Sequence, residues 1–146
     1  MRMKLLVAVS AFAAMTVRST ADECFSPATR YNVCEAAAKF QQELAKSLPM
    51  QVSNNVTIQS ALVIGPRLSI NAIWTLSNAE LTGMLQAGGV TKAQIIEKLG
   101  AQTKSLVCGQ PATGAFVRLG GEVQWNYRTS DAVPVASALV DDCPRP

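Results

Sequence analysis

Residues Val56 to Ser77 read VTIQSALVIGPRLSINAIWTLS, two apolar runs on either side of Gly65-Pro66-Arg67. The second run alternates: Leu68, Ile70, Ala72, Trp74 and Leu76 share one side of an extended chain, and Ser69, Asn71, Thr75 and Ser77 share the other, with Ile73 the exception. A period of two on both flanks of a Gly-Pro turn predicts a β-hairpin. Its polar second face predicts an antiparallel sheet covered on one side only.

The covering layer is legible on both sides of the hairpin. Upstream, Asn32 followed by Glu35 resembles a capping box, and Val33, Ala36, Ala37, Phe40, Leu44 and Leu48 recur at helical spacing until Pro49 ends the helix. Downstream, Asn78 to Gln86 predicts a short helix broken at Gly88-Gly89. Thr91 with Gln94 then opens a second amphipathic helix through Ile95, Ile96, Leu99, Thr103 and Leu106, in spite of Gly100 in its interior. A short helical turn over Ala112 to Leu119 precedes Gly120-Gly121. A third strand follows, with Val123, Trp125 and Tyr127 facing one way and Glu122, Gln124, Asn126 and Arg128 the other. Thr129 to Ala132 turns the chain into a last run, Val133 to Asp141, which Pro134 restricts to a sheet edge. The expected fold is α+β: one antiparallel sheet of about four strands with helices packed on one face, stabilised by disulfides.

At 146 residues, 49% hydrophobic, 16% charged and 5% aromatic, the chain has the size of one small domain, expected over residues 22–146. Residues 1–21 read as a signal peptide: two basic residues by Lys4, an apolar core from Leu5 to Met15, and small residues at Ser19-Thr20-Ala21 before the expected cut. That apolar core is too short to span a bilayer, and no transmembrane segment is expected. The leader carries Arg2, Lys4 and Arg18 and no acid, so the remainder, with ten residues of each sign, is neutral. Neutrality and scattered basic residues give no electrostatic case for binding nucleic acid.

Histidine is absent. This excludes Ser-His-Asp and Cys-His catalysis and any zinc site with an imidazole ligand. Cys24, Cys34, Cys108 and Cys143 lack metal-site spacing, and an even number in a small exported chain reads as disulfides. Three pairings are possible, and the favoured one joins Cys24 to Cys34 and Cys108 to Cys143. No metal and no cofactor are expected. Asp131, Asp141 and Asp142 lie near the last hairpin, but turn chemistry and a strand end account for them. Neither G-x-S-x-G nor S-x-x-K occurs, so no catalytic residue is assigned and the chain is read as a non-enzyme. Arg118, Trp125 and Tyr127 are the candidate binding residues, because Arg and aromatics are enriched at interface hot spots. Core packing is the simpler account of Trp125 and Tyr127, whose alternation already explains them.

Ser47-Leu48-Pro49, the hairpin around Arg67, Cys108, Phe116-Val117-Arg118-Leu119-Gly120-Gly121, Trp125-Asn126-Tyr127-Arg128 and Cys143 together resemble a group of small exported bacterial proteins. The arrangement, from Lys46 to Cys143, is similar to the α/β type of pilotin in type II secretion. The resemblance implies a one-sheet α/β domain with a Cys108 to Cys143 disulfide, acting as a periplasmic binding protein that grips a segment of a secretion component. Pilotins of this kind are typically lipoproteins. Here Ala21-Asp22-Glu23 precedes Cys24 and no lipid-attachment motif is read, so a soluble relative is expected. The expected function is that of a periplasmic or secreted binding protein, an accessory of secretion or envelope assembly that captures a segment of a protein partner in the cell envelope in a groove between sheet and helices. The alternative is an exported inhibitor or immunity-type protein that plugs an envelope enzyme with a loop such as Asp22 to Tyr31 or Thr129 to Ala132.

Overall fold

A computed structural model describes residues 22–145, so the expected signal peptide lies outside the described residues. A 3-10 turn at Asp22–Cys24 leads to α1 (Val33–Ala45), then to three strands, β1 (Met50–Ser53), β2 (Val56–Ile64) and β3 (Arg67–Trp74). Three helices follow, α2 (Asn78–Ala87), α3 (Lys92–Gly109) and α4 (Pro111–Arg118), and the chain closes with β4 (Glu122–Arg128) and β5 (Pro134–Val140).

The helix starts follow their capping chemistry. The Asn32 side chain accepts the Glu35 N–H at 3.0 Å. Glu35 itself turns to Lys39 at 2.7 Å, so this cap is one-sided. Thr91 and Gln94 cap each other reciprocally at α3, and Ser77 and Glu80 do the same at α2.

The strands form one five-stranded sheet in the order β1-β2-β3-β4-β5. This corrects the expectation of about four antiparallel strands in two respects. First, β1 pairs antiparallel with β2, a strand missed because its four residues follow a proline and stay largely exposed, leaving no alternation to read. Second, β3 and β4 run parallel, Ile70 opposite Trp125 and Ala72 opposite Tyr127. The three helices between these strands form a crossover, which returns the chain in its original direction as a tight turn cannot. The two hairpins, β2-β3 and β4-β5, are antiparallel as expected.

A bulge between Ile58 and Ser60 explains why β2 alternates poorly in sequence. Gln59 is the extra residue, so the inward side chains are Ile58 before it and Ala61 after it, both buried. The core joins Leu68, Ile70, Val123 and Trp125 of the sheet to Val33 and Ala37 of α1, Val107 of α3 and Phe116 of α4, so the helices pack on one face as expected. The opposite face carries a hydrogen-bonded polar network, with Leu62, Ile64 and Leu139 exposed on the same side. Asn126 Nδ2 donates to Ser69 Oγ at 2.9 Å, Gln124 Nε2 to Ser137 Oγ at 2.9 Å and Asn71 Nδ2 to Ser60 Oγ at 2.9 Å. Arg67 Nε meets Glu122 Oε2 at 2.6 Å at its margin.

Both disulfides close as favoured, Cys24 with Cys34 and Cys108 with Cys143. The second ties the end of α3 to the segment after β5 across 35 residues, a loop for which chain entropy alone is worth about 4 kcal/mol. Two disulfides in a domain this small fit an oxidising, exported compartment.

Candidate functional site

Between α1 and α3 the covering layer is incomplete. The gap is a groove of about 1160 Å³ whose floor is the inward face of β2, β3 and β4, with Ile58, Ile70, Trp125 and Tyr127 at its base. Phe40 and Leu44 of α1 form one wall, and Ile95, Leu99 and Leu106 of α3 the other. At the end where β3 finishes, α2 contributes Leu81, Met84 and Leu85. At the other end α4 is braced against α1 by an edge-on contact of Phe116 with Phe40, ring centroids 5.3 Å apart.

The groove is apolar because the residues that make it are the two-residue and helical repeats of the sequence, left without a partner. Glu43 is its one charged lining side chain among the described residues, and its carboxylate is engaged by Lys46 at 2.6 Å. Large apolar side chains remain exposed along the rim: Val52 at 44%, Met84 at 60% and Leu106 at 46%. An open concavity of this size and composition, with hydrophobic walls and few polar groups, has the character of a binding site.

The structure places the three candidate binding residues in two places. Trp125 and Tyr127 lie side by side on the groove floor, their rings stacked at 5.8 Å and 25°. Both are buried. Tyr127 reaches up to α3, its hydroxyl 2.8 Å from Thr103 Oγ1. Burial pushes the Tyr127 phenol pKa up, outweighing the opposing effect of the Thr103 contact, so the hydroxyl is protonated at neutral pH. Arg118 stands elsewhere: it is exposed at the end of α4, its NH1 3.4 Å from the Pro144 carbonyl, and it does not line the groove.

Two indole groups carry an unmet requirement. Nε1 of Trp74 and of Trp125 are both buried without a hydrogen-bond partner, and both tryptophans line the groove. Residues that single-chain reading did not assign to the site are those of the walls, Phe40, Leu44, Leu99 and Leu106. Their helical spacing was visible, but it is the same spacing that makes a closed core.

The three aspartates do not gather: Asp141 and Asp142 follow β5, at the far end of the β4-β5 hairpin from Asp131. Asp131 lies in the β4-β5 turn and accepts the Asn78 N–H at 2.9 Å, while Glu122 sits at the opposite end of that hairpin, bound to Arg67. Among the described residues no group of three or more Cys, Asp or Glu is arranged to hold a metal ion, and no helix is long and apolar enough to cross a membrane.

No protein-family model matches the sequence, and no curated protein matches it. Solved structures do share its fold. A Pseudomonas aeruginosa protein assigned as secreted superposes with a TM-score of 0.58 at 16% identity, over 75% of this chain and 88% of that one. The type II secretion system pilotin AspS of Vibrio cholerae gives 0.57 at 16% identity, over 75% and 88%. EpsS, a pilotin of the type 2 secretion system of Vibrio vulnificus, gives 0.58 at 15% identity, over 74% and 86%. The fold expected from the resemblance is thus the fold of these structures.

Proposed function

We propose that this chain is an exported, non-enzymatic accessory of secretion or envelope assembly that captures an apolar segment of a protein partner in the groove between α1 and α3. The observation that carries this reading is the groove itself, a lined and open concavity with one charged side chain among the described residues and exposed Val52, Met84 and Leu106 at its edge. An amphipathic segment laid there would bury both apolar surfaces, as in the general helix-in-groove mode of recognition. The fold shared with two type II secretion pilotins supports a partner within such a system. Within this reading Trp125 and Tyr127 form the floor of the binding surface, and Arg118 belongs to a separate exposed patch.

The inhibitor reading has less support. Its loop Thr129 to Ala132 is committed internally: Thr129 is fully buried and Asp131 caps α2. The loop from Asp22 to Tyr31 is stapled to α1 by Cys24–Cys34.

In-cell crosslinking with the tagged chain as bait tests the proposal, with Leu106→Glu charging the groove rim and Arg118→Glu charging the remote patch. Capture of one secretion-system component by the wild type and by Arg118→Glu, but not by Leu106→Glu, is the expected result. Loss in Arg118→Glu alone would move the site to α4, and recovery of a foreign enzyme would favour the inhibitor.

A further inference from the structure

The groove has one wall built unlike the rest. From Thr82 to Gln102, through most of α2 and the first half of α3, no residue is fully buried, although this segment carries Met84, Leu85, Val90, Ile95, Ile96 and Leu99; Leu85, Ile95 and Leu99 rest half-buried against the core. Val90 is 38% exposed and Ile96 41%. Full burial begins only at its two ends, Leu81 on α2 and Thr103 and Val107 on α3.

Each end is also where a polar contact ties the segment to the β4-β5 hairpin. At the start of α2 the Asp131 carboxylate accepts the Asn78 N–H, and Ser130 N–H donates to the Leu76 carbonyl at 2.9 Å. On α3 the tie is Thr103 to Tyr127. Between them the two helices are joined by Gly88-Gly89. Gly100 stands in the α3 interior just before the second tie, with nothing within 4 Å of the position its Cβ would occupy. Neither packing nor a left-handed φ calls for glycine at this point, and glycine there weakens the helix.

We propose that Thr82 to Gly100 is a hinged arm that swings between the Asp131–Asn78 and Tyr127–Thr103 contacts, with Gly100 as its soft point, and so opens and closes the groove between α1 and α3. The arm supplies Met84, Leu85, Ile95 and Leu99 to the groove, so its position sets the width of the opening. A segment held with few buried apolar contacts opens at a far lower free energy than the sheet it leans on. Only the purpose of the motion rests on the groove being the binding surface; the hinge itself is a property of the free chain.

Hydrogen–deuterium exchange on the free full-length chain, with no partner, is the test. Amides of residues 82–99 are expected to exchange together, about a hundredfold or more faster than those of residues 104–107 and of β3 and β4. Gly100→Ala, which meets no steric obstacle, is expected to slow exchange about fivefold in the first half of α3 and in α2 alike, leaving residues 104–107 unchanged. Association of the apolar dye 8-anilinonaphthalene-1-sulfonate with the groove, followed by stopped flow, should slow in the same variant. Arm amides as protected as Val107, slowing confined to the neighbourhood of residue 100 with α2 untouched, or an unchanged dye association rate would each overturn the proposal. Failure of partner capture with these results in place would instead remove the proposed function and leave the hinge standing.

Discussion

The Tyr127 hydroxyl and Thr103 Oγ1 are 2.8 Å apart, and Thr103 gives its own proton to the Leu99 carbonyl at 2.7 Å. The phenol is therefore the donor of the pair, and a relay of hydrogen bonds runs from the sheet floor through a fully buried threonine into α3. This contact spans the groove floor and its wall.

Direction makes the two ends of the relay unequal. Thr103→Val leaves the buried phenol without an acceptor and should cost about 1–3 kcal/mol, whereas Tyr127→Phe removes donor and demand together and should cost about 1 kcal/mol. Urea unfolding of the two variants checks the order. Equal losses would mean that Tyr127 finds a second acceptor.

The same phenol sets the alkaline limit. Its folded pKa is raised by burial above that of the unfolded chain, so its contribution is fully present below about pH 10 and is lost as pH rises through the folded value. Stability measured from pH 8 to 11 should fall above about pH 10 in the wild type, and Tyr127→Phe should flatten that fall.

At acid pH the corresponding group is Asp131. The Thr129 hydroxyl, shared with the Val133 carbonyl, and then the Asn78 N–H hold its carboxyl below the usual carboxylate range. A depressed folded pKa gives stability that is present above the unfolded value and lost as pH falls through the folded one. Below about pH 4 the tie of α2 to the β4-β5 turn should therefore weaken, from a charge-assisted bond to one with a neutral acceptor. Exchange of the α2 amides should rise with acid in the wild type. Asp131→Asn, which keeps an uncharged Oδ1 acceptor, should show a smaller rise, the remainder coming from Glu80, whose carboxyl the Ser77 cap also holds low, and Asp131→Ala should show fast exchange already at neutral pH.

Much of this arrangement was legible in the sequence, and what was not has specific causes. Alternation around Leu68, Ile70 and Ala72 and around Val123, Trp125 and Tyr127 located both hairpins and the face each would bury, because side-chain direction in a strand is a local property. The parallel pairing of β3 with β4 was hidden, since no residue in either strand records which way its neighbour runs. A groove between sheet and helices was expected, but the residues of its walls were hidden for a related reason. Phe40, Leu44, Leu99 and Leu106 have the spacing of core residues, and only the distance between α1 and α3 leaves them uncovered. Arg118 was drawn to the site by its chemistry and separated from it by its position at the end of α4, where its guanidinium meets the Pro144 carbonyl instead.

Gly121 has the least room for a side chain of the glycines among the described residues. A Cβ at this position would overlap three atoms of the Phe116 ring, the ring that braces α4 against Phe40 of α1. A buried aromatic ring cannot flex away as a long side chain can, so Gly121→Ala should destabilise by about 1–3 kcal/mol through overpacking. Thermal unfolding provides the measurement, and the double variant with Phe116→Leu should recover part of the loss. Unchanged melting in the single variant would mean that α4 slides freely on the sheet.

Trp125 separates stability from binding. Its indole Nε1–H is buried without an acceptor, a state that costs about 1–3 kcal/mol relative to a satisfied donor. Trp125→Phe removes that penalty while giving up part of the ring, and the two changes oppose each other, so the net effect should stay within about 1.5 kcal/mol. Trp125→Ala has no such compensation and should cost about 3–5 kcal/mol. A Trp125→Phe loss as large as that of Trp125→Ala would mean that the N–H is bonded after all. If the partner segment rests on the ring of Trp125, Trp125→Phe should also weaken capture several-fold in a chain that melts almost as the wild type does. Capture at wild-type strength would mean that the segment does not rest on that ring.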